Sequence, residues 1–208
     1  MLTRRNLLAA APLTVLGIAL TTTPALAATF TDLPSDSPFY TEMNWAVTKG
    51  LLTTYPDGSI RPNDPVDRQT FARMIYTYRG KPSYTPPTKT PFSDVPTTHS
   101  YYKDICWLAS QGITAGYWDK TFRPANLVER NTFAIFLYRM AGEPAYFAPV
   151  VSPFIDTPPS TEFYKQICWL KDMKISNGWS DGTFKPLEVT GRYAASAFLY
   201  RYNQVVGY

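Results

Sequence analysis

Apolar side chains recur along the chain in short helical bursts, and the bursts come in pairs. Across residues 92–140, Tyr102, Ile105, Cys106, Ala109 and Ile113 predict a helix from about Ser100 to Gln111, stopped by Gly112. Phe133, Phe136, Leu137 and Met140 fall at i, i+3, i+4 and i+7 and predict a second helix from about Glu129 to Met140. Between them runs Gly116-Tyr117-Trp118-Asp119-Lys120-Thr121-Phe122-Arg123-Pro124. Its counterparts Tyr55-Pro56-Asp57-Gly58 and Trp179-Ser180-Asp181-Gly182 carry Asp-Gly pairs, which favour tight turns with positive φ. A turn with very short extended arms is expected there, so each unit reads helix, turn, helix.

This pattern repeats three times at an offset of 62 residues. Phe30, Phe92 and Phe154 open the copies, followed by Asp32, Asp94, Asp156 and by Pro34, Pro96, Pro158. Tyr40, Tyr102, Tyr164 and Trp45, Trp107, Trp169 keep the offset, as do Arg68, Arg130, Arg192 and Tyr76, Tyr138, Tyr200. The copies span 28–80, 92–142 and 154–208. Proline-rich linkers at 81–91 and 143–153 read as stiff extended spacers. One helix pair of this size cannot bury its own apolar face, so the three must share a core. The tryptophans sit beside the buried stripe of each first helix and are expected to pack inside.

Composition narrows the function. The chain is 45% apolar with 19 prolines and only 17% charged residues, which suits a loop-rich folded body. Residues 1–27 read as a cleaved export signal: Arg4 and Arg5 precede an uncharged stretch ending in Ala25-Leu26-Ala27. The twin arginines resemble a Tat signal, and Sec export stays open. A membrane anchor is disfavoured because Pro12, Gly17 and Pro24 interrupt the stretch, so no transmembrane segment is expected after cleavage. Removing the leader leaves 18 basic against 16 acidic residues, a charge of +2, with no basic run to serve as a nucleic-acid footprint. Cys106 and Cys168 occupy equivalent positions, with Asn44 in the first copy. Two separate thiols are favoured, and a bridge stays open.

Phe92-Ser93-Asp94-Val95-Pro96, Gly112-Ile113, Thr121-Phe122-Arg123-Pro124 and Val128-Glu129-Arg130 together resemble the S-layer homology (SLH) repeat, over nearly the whole mature chain. The resemblance implies a mainly α fold, three SLH repeats in a pseudo-threefold bundle. It also implies grooves between prongs that hold a bacterial wall glycan. Function and location follow from the same resemblance: non-covalent, non-catalytic anchoring of a secreted protein at the cell wall or surface. The expected partner is an anionic secondary cell-wall polysaccharide linked to peptidoglycan, and a non-covalent protein partner or host glycan is the alternative. The family's second helix often opens Thr-Arg-Ala-Glu, whose threonine and glutamate form a capping box. Here Asp67-Arg68-Gln69-Thr70, Glu129-Arg130-Asn131-Thr132 and Gly191-Arg192-Tyr193-Ala194 stand instead. Gly191 offers no cap, so the third copy's second helix is expected to fray.

Arginine presents a planar, permanently charged fork to a carboxylate or phosphate, so Arg68, Arg130 and Arg192 are the candidate ligand residues, as the resemblance implies. Each could instead pair with a surface carboxylate. Asp32, Asp94 and Asp156 are candidates for sugar hydroxyls, or else turn residues. Tyr55, Tyr117, Trp118 and Trp179 are candidates for stacking on sugar rings. No metal or cofactor is expected: the Asp-Gly turns lack an EF-hand's carboxylate ladder, and no Cys-x-x-Cys occurs. His99 is the single histidine and has no counterpart in the other copies, so a catalytic triad is unsupported.

Overall fold

The computed structural model describes residues 29–207, and each copy supplies two helices. These are α1 (Tyr40–Thr48) and α2 (Arg68–Tyr78), α3 (Tyr102–Ser110) and α4 (Arg130–Met140), α5 (Tyr164–Asp172) and α6 (Arg192–Val205). The export-signal reading of residues 1–27 lies outside the described residues. Within those described, no helix is long and apolar enough to cross a membrane.

The helices that pack most closely come from different copies: α2 on α3, α4 on α5, and α6 on α1. The unit read from the sequence as helix, turn, helix is therefore split across two prongs. The linkers cause this by folding each second helix back against the next first helix. The Tyr76 hydroxyl donates to the Pro82 carbonyl and that of Tyr102 to Pro87, both at 2.8 Å. Tyr138 and Tyr164 make the same bonds to Pro144 and Pro149. Each prong holds a tryptophan against a tyrosine, with ring centroids 5.2 Å apart for Trp107–Tyr76, 5.3 Å for Trp169–Tyr138 and 5.5 Å for Trp45–Tyr200. Trp107 and Trp169 are buried as expected, whereas Trp45 is only half-buried.

The prongs meet on a pseudo-threefold axis. There the Val66 N–H donates to the Thr190 carbonyl (3.0 Å), Thr190 to Val128 (2.8 Å) and Val128 to Val66 (2.9 Å), closing a triangle of backbone hydrogen bonds. Isolated bridges flank it, Pro65–Gly191, Asp67–Leu127 and Glu129–Val189, which join different copies and lie beyond the turns where extended arms were expected. Phe71 stacks on Phe136 and meets Phe133 edge-on, and Phe198 packs against Phe133.

The same ring supplies the second helices with start signals that the sequence lacks. The N–H groups of Arg68 and Gln69 donate to the carbonyls of Asn126 and Pro124, and Arg130 and Asn131 to Glu188 and Pro186. Arg192 and Tyr193 donate to Asp64 and Pro62, all at 2.9 to 3.0 Å. The orphan donors of a helix start are thus satisfied by a neighbouring copy. Gly191 supplies no cap, yet α6 starts at Arg192, the same repeat position as α2 and α4, so the fraying expected there is not seen. Cys106 and Cys168 are separate, buried thiols.

Candidate functional site

Arg68, Arg130 and Arg192 stand at the first positions of α2, α4 and α6 and are buried, at 5%, 7% and 9% exposure. Each reaches across a copy boundary. Arg68 Nε donates to the Phe122 carbonyl (2.7 Å), Arg130 Nε to Phe184 (2.7 Å) and Arg192 Nε to Ile60 (2.8 Å). None of the three forms an ion pair among the described residues, so pairing with a surface carboxylate is excluded. Burial pushes all three guanidinium pKa values below the usual arginine value, but arginine starts so high that they stay cationic. A desolvated, unpaired cation is costly, and it favours an anion brought to its free edge.

Each aspartate that opens a copy spends both oxygens on the turn of its own copy. Asp94 accepts the N–H of Phe122 at 2.8 Å and of Arg123 at 2.7 Å. Asp32 does the same for Ile60 and Arg61, and Asp156 for Phe184 and Lys185. This is the turn role that the sequence held open beside contact with sugar hydroxyls. What they brace is strained: Arg61, Arg123 and Lys185 have φ of 48°, 57° and 56°, a left-handed backbone that costs a non-glycine residue about 1 kcal/mol or more.

That backbone lays a cation over the turn aromatic. Arg61 sits 3.8 Å from the centroid of Tyr55, Arg123 3.9 Å from Tyr117, and Lys185 4.3 Å from Trp179. The helix arginine of the preceding copy approaches the same ring: Arg68 lies 4.9 Å from Tyr117, Arg192 5.4 Å from Tyr55 and Arg130 5.8 Å from Trp179. The cation already lying close over each of these rings leaves less room for stacking on a sugar, whereas Trp118 is 92% exposed. The cations at 61, 123 and 185 were not singled out from the sequence. Their recurrence just before Pro62, Pro124 and Pro186 was the available signal.

The cations and aromatics edge grooves built to one plan. Each takes an arginine from one copy, a loop and second helix from the next, and an aromatic residue preceding a first helix of the third. The groove at Arg68 has a volume of about 410 Å³ and is lined by Tyr117, Asn126, Asn131, Thr132, Arg139 and Phe163, among others. At Arg130 the volume is about 80 Å³, because Tyr193 and Phe39 fill it with rings 5.0 Å apart. At Arg192 the groups engage one another: Nη2 donates to the Thr53 carbonyl at 2.8 Å, and the Tyr55 hydroxyl donates to Asp64 at 3.4 Å. His99 serves the fold, its Nδ1 accepting the Tyr101 N–H beside the start of α3. No cluster of histidine, cysteine and carboxylate groups suited to a metal occurs among the described residues.

Comparison with known proteins matches this architecture. Cell surface glycoprotein 1 of Acetivibrio thermocellus is 30% identical over 166 residues, covering 74% of this chain and 7% of that protein. The Cellulosome-anchoring protein of the same organism is 29% identical over 142 residues, 67% of this chain and 31% of that protein. The chain thus spans less than a third of the length of either relative. The sequence model of the S-layer homology domain matches residues 29–72, 91–134 and 153–190, one match per copy. Three matches in register with three structural copies place this chain in the S-layer homology domain family.

Proposed function

We propose that this protein binds an anionic glycan of the bacterial wall, without catalysis, and holds itself at the cell surface by that contact. The observation that carries this reading is the set of three buried arginines that form no ion pair, each at the edge of a groove between copies. A carboxylate or phosphate on a sugar supplies the missing charge in a planar hydrogen-bonding geometry that suits the fork. The names of the two relatives, a surface glycoprotein and an anchoring protein, support the location. The polymer we infer is a secondary polysaccharide linked to peptidoglycan.

The test is co-sedimentation of the mature protein with purified sacculi, before and after chemical removal of the attached polymer. Pelleting that disappears with the polymer is the expected result. A second reading rests on the exposed apolar run of the second linker, where Phe147, Val150 and Val151 are 95%, 90% and 82% exposed. If a wall protein is the target, pelleting survives polymer removal and is lost when the sacculi are treated with protease.

A further inference from the structure

The three grooves share a plan but differ in charge at one position of the repeat. That position is Asn126 beside Arg68, Glu188 beside Arg130 and Asp64 beside Arg192. Beside Arg130, Glu188 Oε2 is buried and has no hydrogen-bond partner among the described residues. In the groove at Arg192, Asp64 accepts from the Tyr55 hydroxyl that edges the same opening. Each carboxylate acts electrostatically on the buried arginine beside it, Glu188 on Arg130 and Asp64 on Arg192, and offsets the positive charge that an anionic ligand would meet.

A second difference follows the first. Asn131 and Thr132 leave the groove at Arg68 open and polar, and their counterparts Tyr193 and Ala194 line the small groove at Arg130. At about 410 Å³ the first falls within the usual range for ligand pockets, roughly 300 to 1,000 Å³, and at about 80 Å³ the second falls well below it. At Arg192 the polar groups are engaged by the protein itself: Arg192 spends a second arm on Thr53, and Arg73, the repeat counterpart of Ile135 in the open groove, is tied to Asp104 at 2.9 Å and to the Ser100 carbonyl. Arg68 shows no second protein bond of this kind among the described residues, and its guanidinium is walled by Tyr117, Phe122 and Phe136.

We infer that the groove between the first and second copies is the one working anion site of this protein, and that Asn126 is the residue that admits a negatively charged sugar to it. The inference rests on the wall-glycan reading above and narrows it to one groove out of three. Asn126 is exposed, and two sister copies already carry an acid at this position, so Asn126→Glu is compatible with the fold.

The test is sacculus co-sedimentation of the mature chain with polymer attached, comparing wild type, Asn126→Glu and Glu188→Gln, each checked for an unchanged melting curve. A like charge placed against the ligand is expected to weaken apparent affinity roughly tenfold or more in Asn126→Glu. Glu188→Gln is expected to stay within about twofold of wild type, since Tyr193 and Phe39 still fill its groove. Amidating the wall's carboxyl groups then names the ligand chemistry: loss of binding assigns a carboxylate, and survival assigns a phosphate. Wild-type pelleting matched by Asn126→Glu overturns the groove assignment and leaves wall binding intact. Absence of wild-type pelleting overturns both.

Discussion

Asp94 and its counterparts illustrate how a repeated residue can be plain in sequence and opaque in role. Its recurrence at 62-residue spacing marked it, but its partners are the N–H groups of Phe122 and Arg123, which lie 28 and 29 residues away. Other turn carboxylates act more locally. Hydrogen bonds from Thr121 and Arg123 pull the Asp119 carboxyl down to about 2, and those from Ser59 and Thr183 lower Asp57 and Asp181. Burial acts to raise the Asp156 carboxyl, but the N–H groups of Phe184 and Lys185 and the Thr157 hydroxyl bring it below its usual value. These folded pKa values lie below the unfolded value of about 3.9, so the unfolded state binds more protons in acid. The stability contributed is present above about pH 4 and is lost as pH falls toward 2. A series of urea titrations between pH 5 and pH 2 should show the midpoint falling in that window, and Asp119→Asn should flatten the fall. A midpoint independent of pH there would show that these bonds add nothing to folding. The arginines show the same limit: their residue type and spacing were legible, but not their burial or their lack of an ion pair.

At the scale of the element, the second helices were legible from apolar spacing because that spacing is a local property of the chain. The start near Glu129 was legible too, but not what satisfies the first N–H groups of each helix. Asp67 accepts the Thr70 N–H at 2.9 Å and caps α2, whereas neither Glu129 nor Gly191 makes a side-chain cap. Asp67→Ala should therefore cost about 1 kcal/mol in urea unfolding, and Glu129→Ala should stay within about 0.5 kcal/mol of wild type. Equal losses from the two would indicate that Glu129 caps its helix after all. The reason all three helices start at the same repeat position is the neighbouring copy, whose turn carbonyls take the first N–H groups. A single copy contains the donors and the acceptors, but it cannot bring its own together.

The whole molecule is a ring of copies closed by α6 on α1 and by the Val66–Thr190–Val128 triangle. No linker joins the prong formed by α6 and α1, so it depends on side-chain contacts such as the packing of Trp45 on Tyr200 and the Arg201–Glu42 ion pair at 3.4 Å. The intact chain should unfold in one cooperative transition. A truncation ending at residue 142 should lack cooperative unfolding, because it leaves α1 and α4 each without the helix that packs on it. Circular dichroism melts of both proteins check this, and a sharp two-state melt from the truncated chain would contradict it. The amino-acid sequence by itself determined the number of copies, their period, the helices and the arginine in each copy, since these follow from spacing and residue type within a few turns of chain. Only the tertiary structure decided which helices pair, what the aspartates hold, and that the grooves at Arg68 and Arg130 differ in volume. Those outcomes depend on which copies face one another across the axis, and contacts between residues 54 to 139 positions apart leave no local periodicity to read.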